Sequence, residues 1–153
     1  MSTRGLNKLV FDEVPVLSLG AYSVGDSLGV LLVVSDALKD GTHSGRLLEI
    51  VVADGDNQKA AIDFVFYDAA VTSGTDNAAY APTYATLKSS VGVVKVAAAD
   101  YTTYGTEAVA RVSVELDVVL NNTLNLYVQP VVQGTPTYTA ASNLQFRFVI
   151  DRD

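Results

Sequence analysis

The sequence predicts an all-β fold: a single-domain, two-layer β-sandwich, jelly-roll-like, with one short helix near residues 81–88. Three observations predict it. Apolar and polar residues alternate with period two along several short runs. Clusters of Gly, Asn, Asp and Pro separate those runs. Val, Thr and Tyr are abundant and Glu is scarce, as pleated, half-buried surfaces prefer. The clearest run spans residues 111–120, where Val112, Val114, Leu116, Val118 and Leu120 are apolar and Arg111, Ser113, Glu115 and Asp117 are polar. Such alternation sets one face on a core and the other in water.

Along the chain, strands are expected at residues 8–12, 28–34, 46–53, 62–67 and 91–97, with turn-rich segments at 20–25, 40–45, 54–57 and 72–77 between them. Only residues 81–88 look helical: Pro82 suits a first helical position, and the length allows barely two turns. After the run at 111–120, Asn121-Asn122-Thr123 reads as a tight hairpin turn into Leu124, Leu126 and Val128, because asparagine tolerates positive φ. A last turn at 134–136 precedes Leu144, Phe146, Phe148 and Ile150, which alternate with Gln145 and Arg147. About eight short strands spaced by turns suit a sandwich or barrel better than an α/β design. Periodicity does not specify strand order.

A chain of 153 residues fits one domain, residues 1–153, carrying a short basic N-terminal arm over about residues 1–8. Apolar residues make up 49% and charged residues 18%, a composition for a packed core rather than disorder. The formal net charge of −7 argues against a nucleic-acid partner, which would need clustered Lys and Arg. No cysteine is present, which excludes a disulfide framework, thiolate zinc sites and a cysteine nucleophile. The first residues lack the apolar core of a signal peptide, and the longest apolar run, Val30 to Val34, is far short of the ~20 residues of a membrane helix.

Candidate chemistry is sparse. His43 is the single histidine, so any serine triad or histidine base would have to use it, and no Gly-x-Ser-x-Gly elbow accompanies it. Asp54-Gly-Asp56-Asn57 has the hard oxygens that suit calcium, yet lacks the remaining ligands of an EF-hand loop and reads equally as a turn, as does Asp76-Asn77. Gly25-Asp-Ser-Leu-Gly29 lacks the lysine and spacing of a phosphate loop. No catalytic residue, cofactor or metal site is expected, and the chain is not expected to be an enzyme.

Two features could serve a binding surface. Tyrosine offers an amphipathic ring and a hydroxyl that suit protein interfaces and sugar stacking, and Tyr22, Tyr80, Tyr84, Tyr101, Tyr104 and Tyr138 lie in or beside expected loops. Arg4 and Lys8 are cations in an acid-free stretch of an otherwise acidic chain, so they are candidates for contact with an acidic partner surface.

Ala21 to Gly29, with Tyr22, Gly25, Asp26 and Gly29, resembles the "Tyr-x-x-Gly-Asp-x-x-Gly" opening of small proteins that tailed bacteriophages encode near the major capsid protein. The apolar strand, Gly-containing loop and strand through His43 to Val52 follow in the same order. Ile62 to Tyr67 and then Thr75 to Pro82, with Asp76-Asn77-Ala78, are similar to the family's middle stretch, and Gly134-Thr-Pro-Thr-Tyr138 followed by Leu144 to Ile150 is similar to its ending. The likeness runs from about residue 14 to the end. Asp68-Ala-Ala departs from it, since the family often has an apolar residue or asparagine and then a proline there.

The resemblance implies a head decoration (cement) protein: a non-enzymatic virion structural protein on the outer surface of the capsid, bound to the major capsid protein and commonly a homotrimer. A phage tail or baseplate component, or a carbohydrate-binding β-sandwich module that contacts a host-surface glycan, are the alternatives. Neither nucleic acid nor membrane is an expected partner.

Overall fold

A computed structural model describes residues 7–153, so Arg4 lies outside the described residues. The chain is nearly all β. Its strands are β1 (Lys8–Glu13), β2 (Leu32–Val34), β3 (Ser44–Asp54), β4 (Ile62–Tyr67), β5 (Ser90–Val96), β6 (Tyr101–Tyr104), β7 (Glu107–Val119), β8 (Leu126–Val132) and β9 (Leu144–Arg152). The one α-helical turn, α1, spans Tyr84–Leu87, and a 3₁₀ turn at Ala98–Asp100 leads into β6. The expected helix at 81–88 thus shrinks to one turn, which Thr83 rather than Pro82 starts, its hydroxyl accepting the Thr86 N–H.

The strands form two sheets, ordered β1-β9-β3-β7-β6 and β2-β8-β4-β5, with every pairing antiparallel. The pairs β1·β9, β2·β8, β3·β7 and β4·β5 nest inside one another along the chain and alternate between the sheets. That is the result of rolling one long antiparallel hairpin into a sandwich, and it is the jelly-roll topology. β6 is an addition, hairpinned onto the free side of β7 through Gly105 at φ +63°.

The expected hairpin at Asn121-Asn122-Thr123 is not one. β7 pairs with β3 and β6, whereas β8 pairs with β2 and β4, so this tripeptide carries the chain from one sheet to the other. Neither asparagine adopts positive φ. Both flanking runs point their apolar side chains at the same core, and alternation alone does not distinguish two strands side by side from two strands face to face.

Between the sheets, Phe64 and Phe66 of β4 meet Phe146 and Phe148 of β9 edge to face: Phe64–Phe146 centroids lie 4.9 Å apart at 89°, and Phe64–Phe148 and Phe66–Phe148 at 5.9 Å. Val118 and Ile150 are buried with them, Val112, Val114 and Leu116 pack against the same cluster, and Glu115 and Asp117 are exposed as alternation requires. β3 breaks the period. Its register shifts between Leu47 and Glu49 in both of its pairings, so Leu47 on one side of the bulge and Ile50 on the other both face inward.

The outer faces differ. Across the five-stranded sheet, Lys8, Asp151, Arg46 and Asp117 occupy one register row of alternating charge, with Arg46 Nε 2.8 Å from Asp117. Lys8 is therefore the exposed first residue of an edge strand rather than part of an arm. Over the four-stranded sheet the connection from β4 to β5 lies against the strands, and Val71 and Tyr80 from it pack with Tyr127 of β8 on the buried Val65, Tyr67 and Val131. This is why β4 and β8 carry apolar residues on both faces. Pro130 is tolerated within β8 because it lies beyond the end of β2: its carbonyl accepts the Leu28 N–H from a loop, so its missing N–H falls where no strand needs it.

Candidate functional site

Three of the stretches that carry the phage resemblance converge at one place. Tyr22, 1% exposed, donates its hydroxyl proton to Asp76 Oδ1 (2.7 Å) and accepts the Ser18 N–H (2.9 Å). The Gly29 N–H reaches the same carboxylate oxygen at 2.7 Å, with Gly29 at φ +77° and Pro15 packed where its side chain would stand. Backbone bonds stitch the two segments together: Ser27 N–H to Ala78 O, Asn77 N–H to Ser27 O, and Tyr80 N–H to Gly25 O. Asp26 accepts the Ser23 N–H, and the Asn77 amide, oriented to satisfy both its ends, donates to Asp26 Oδ2 and Ala21 O. From the third stretch, Pro136 O accepts the Tyr22 N–H, and Tyr138 meets Tyr22 edge to face at 6.0 Å. Burial, and then the Asp76 carboxylate, push the Tyr22 hydroxyl above its ordinary range, so it stays a neutral donor.

This knot is a clamp for loops. Asp76 Oδ1 and Asp26 Oδ2 face N–H and O–H donors of the chain itself, so the carboxylates hold the loops to one another. Tyr22 and Tyr138, expected at a contact surface, are instead core residues, because each ring fills space between the loops and the sandwich. Tyr101 packs against the same core and donates to Ala60 O at 2.9 Å, and Tyr80 shares a short hydroxyl–hydroxyl bond with Tyr67. Tyr84 and Tyr104 remain exposed, at 78% and 70%.

The calcium-like cluster is likewise occupied by the chain. Asp54, buried, accepts the N–H groups of Asp56 and Lys59, and Asn57 and Lys59 take positive φ in the turn between. Asp56 accepts the Thr139 N–H and hydroxyl and the Asn143 amide. Burial alone would raise the Asp56 carboxyl, but the bonds from Thr139 and Asn143 outweigh it and hold the group below its ordinary value. No group of three or more metal-ligating side chains occurs among the described residues. His43 sits at φ +54° in a turn, its Nε2 3.8 Å from Asp40, while the neighbouring Ser44 hydroxyl donates to Asp153.

Sequence reasoning missed one surface. Val14, Val16, Leu19, Val24, Val30 and Val33 are all exposed, Val16 at 74%, and between Val14 and Ser35 the single charged residue, Asp26, is buried. Pro15 packs on Gly29, so the segments bearing Val14, Val16 and Val30 run side by side. The signal was present as a window with a single charged residue in an acidic chain. The chain matches no known family model, and comparison with curated proteins and with solved structures found none similar to it.

Proposed function

We propose that this protein is a non-enzymatic structural component of a bacteriophage virion, a decoration protein that binds the outer face of the capsid, contacts the major capsid protein and stabilises the head. The observation that carries the reading is the use of the resembling motifs. Tyr22, Gly29, Asp76 and Asn77, with the Gly134–Tyr138 stretch, are spent on clamping a long loop whose outward side is apolar and free of charge. A rigid, neutral, apolar flank on an acidic body is the construction of a protein that adheres to another protein. Arg4 and Lys8 are the cations proposed to join that contact; Lys8 stands on the exposed edge of β1.

The test is cosedimentation of the purified protein with bare phage heads, with head thermal stability as a second readout. Saturable binding and a raised head-disruption temperature are expected, and Val16→Asp with Leu19→Asp should abolish both without unfolding the protein. Replacing Arg4 and Lys8 with glutamate should weaken binding most at low salt, where screening is least. Absence of binding to heads, or a virion image with this chain in the tail alone, would overturn the head assignment.

A further inference from the structure

We propose that a second, separate site on this protein binds a sugar ring: the cleft between the β7–β8 crossing and the start of the β4–β5 connection. The cleft encloses about 350 Å³ and is lined by Asp68, Ala69, Ala70, Asn121, Asn122, Thr123 and Tyr127. That volume sits at the small end of ligand pockets, roughly 300–1,000 Å³, and suits one ring.

Of its polar side chains, Thr123 alone has a structural task. Thr123 and Asn125 hold the crossing, Thr123 by accepting the Asn125 N–H and Asn125 by accepting the Asp36 N–H. Asn121 and Asn122 do neither: their φ angles are ordinary, so the backbone does not call for asparagine. Among the described residues, no hydrogen bond engages the side chains of Asp68, Asn121 and Asn122 or the Tyr127 hydroxyl, in contrast to Asp54, Asp56 and Asp76. Asp68 also begins the one stretch in which this chain departs from the phage-family pattern, and the two alanines after it line the cleft.

The chemistry selects the ligand class. A carboxylate accepts, carboxamides both donate and accept, and adjacent sugar hydroxyls do both at the same spacing. Tyr127 adds a ring for the apolar C–H face of a pyranose and a hydroxyl at its rim. No lysine or arginine lines the cleft, and Asp68 repels anions; an apolar ligand would strand four polar groups. A neutral hexose or N-acetylhexosamine satisfies every wall. The cleft adjoins the apolar surface, since Tyr127 pairs with Val33, but its lining residues are not those mutated to test capsid binding, and the two readings fail separately.

Titration calorimetry and saturation-transfer NMR with the methyl glycosides of glucose, galactose, mannose and N-acetylglucosamine test it. At least one should bind with Kd on the order of 1 mM, and Asp68→Ala or Asn122→Ala should weaken it about tenfold with an unchanged melting temperature. Should Asp68→Ala fail to fold, Asp68→Asn and Asn121→Ala serve the same comparison. Binding by none of the four glycosides, or binding that the Asp68→Ala/Asn122→Ala pair leaves within roughly twofold, would overturn the proposal.

Discussion

At the scale of single residues, Tyr22 shows how a polar atom in a core is made safe. Its ring is buried against Tyr138 while its hydroxyl reaches the Asp76 carboxylate. Tyr22→Phe keeps the ring and removes one donor from that carboxylate, so it should cost about 1.5–3 kcal/mol in urea unfolding. A loss below roughly 0.5 kcal/mol would show that water replaces the hydroxyl without penalty. Asp56 gives a pH-dependent counterpart. Its folded-state pKa lies below the unfolded value, so its contribution is present above the unfolded pKa, near 4, and is lost as pH falls through the lower folded value. The wild-type melting temperature should therefore drop on acidification below about pH 4, and the Asp56→Asn variant should drop less steeply over the same range. Parallel pH profiles for the two proteins would remove the Asp56 bonds to Thr139 and Asn143 from the account.

Elements hold together by unequal means. Phe146 of β9 is fully buried against Phe64 of β4 and is one of the side chains that join the sheets. Phe146→Ala should cost about 3–5 kcal/mol, measured by denaturant unfolding, because lost transfer energy and a cavity add. On the outer face of the same strand, Arg147 holds Asp12 through two bonds of 2.7 and 3.0 Å, with both partners in contact with water. Despite that geometry, Arg147→Ala should cost only up to about 1 kcal/mol, because solvent screens the pair and fixing two side chains costs entropy. A reversal of this order would mean that β1 is held to β9 by charge rather than by the sandwich.

For the whole molecule, the decisive feature is where charge is absent. Three copies would bring together a formal charge of −21, three times −7. The neutral flank of Val14, Val16, Leu19 and Val30 is proposed to face the capsid, so the contact between copies must lie elsewhere and be apolar or tyrosine-rich rather than acidic. We expect light scattering to return a trimer, and the Val16→Asp/Leu19→Asp variant to remain a trimer with an unchanged circular-dichroism spectrum while it loses head binding. A monomeric wild type would remove self-association while leaving head binding to be judged by cosedimentation.

The sequence by itself determined the strand-rich class, the positions of most strands and the inward face of β7 and β9, because period-two alternation is a local property that each strand carries alone. It also carried the turn at Asp54–Asn57, since turn chemistry needs only neighbours, whereas the bonds from Thr139 and Asn143 to Asp56 come from far along the chain. The tertiary structure alone decided the rest. Which strands pair is a matter of distant contacts, so Asn121-Asn122-Thr123 looked like a hairpin and proved to be a crossing between sheets. The bulge at Leu47/Glu49 reverses the inward face of β3 to suit both neighbours at once. Tyr22 and Tyr138 entered the core because residues more than a hundred positions apart in the chain meet at one clamp. Exposure, too, is set by what folds over a residue, and among the described residues nothing folds over Val16, Leu19 or Val30.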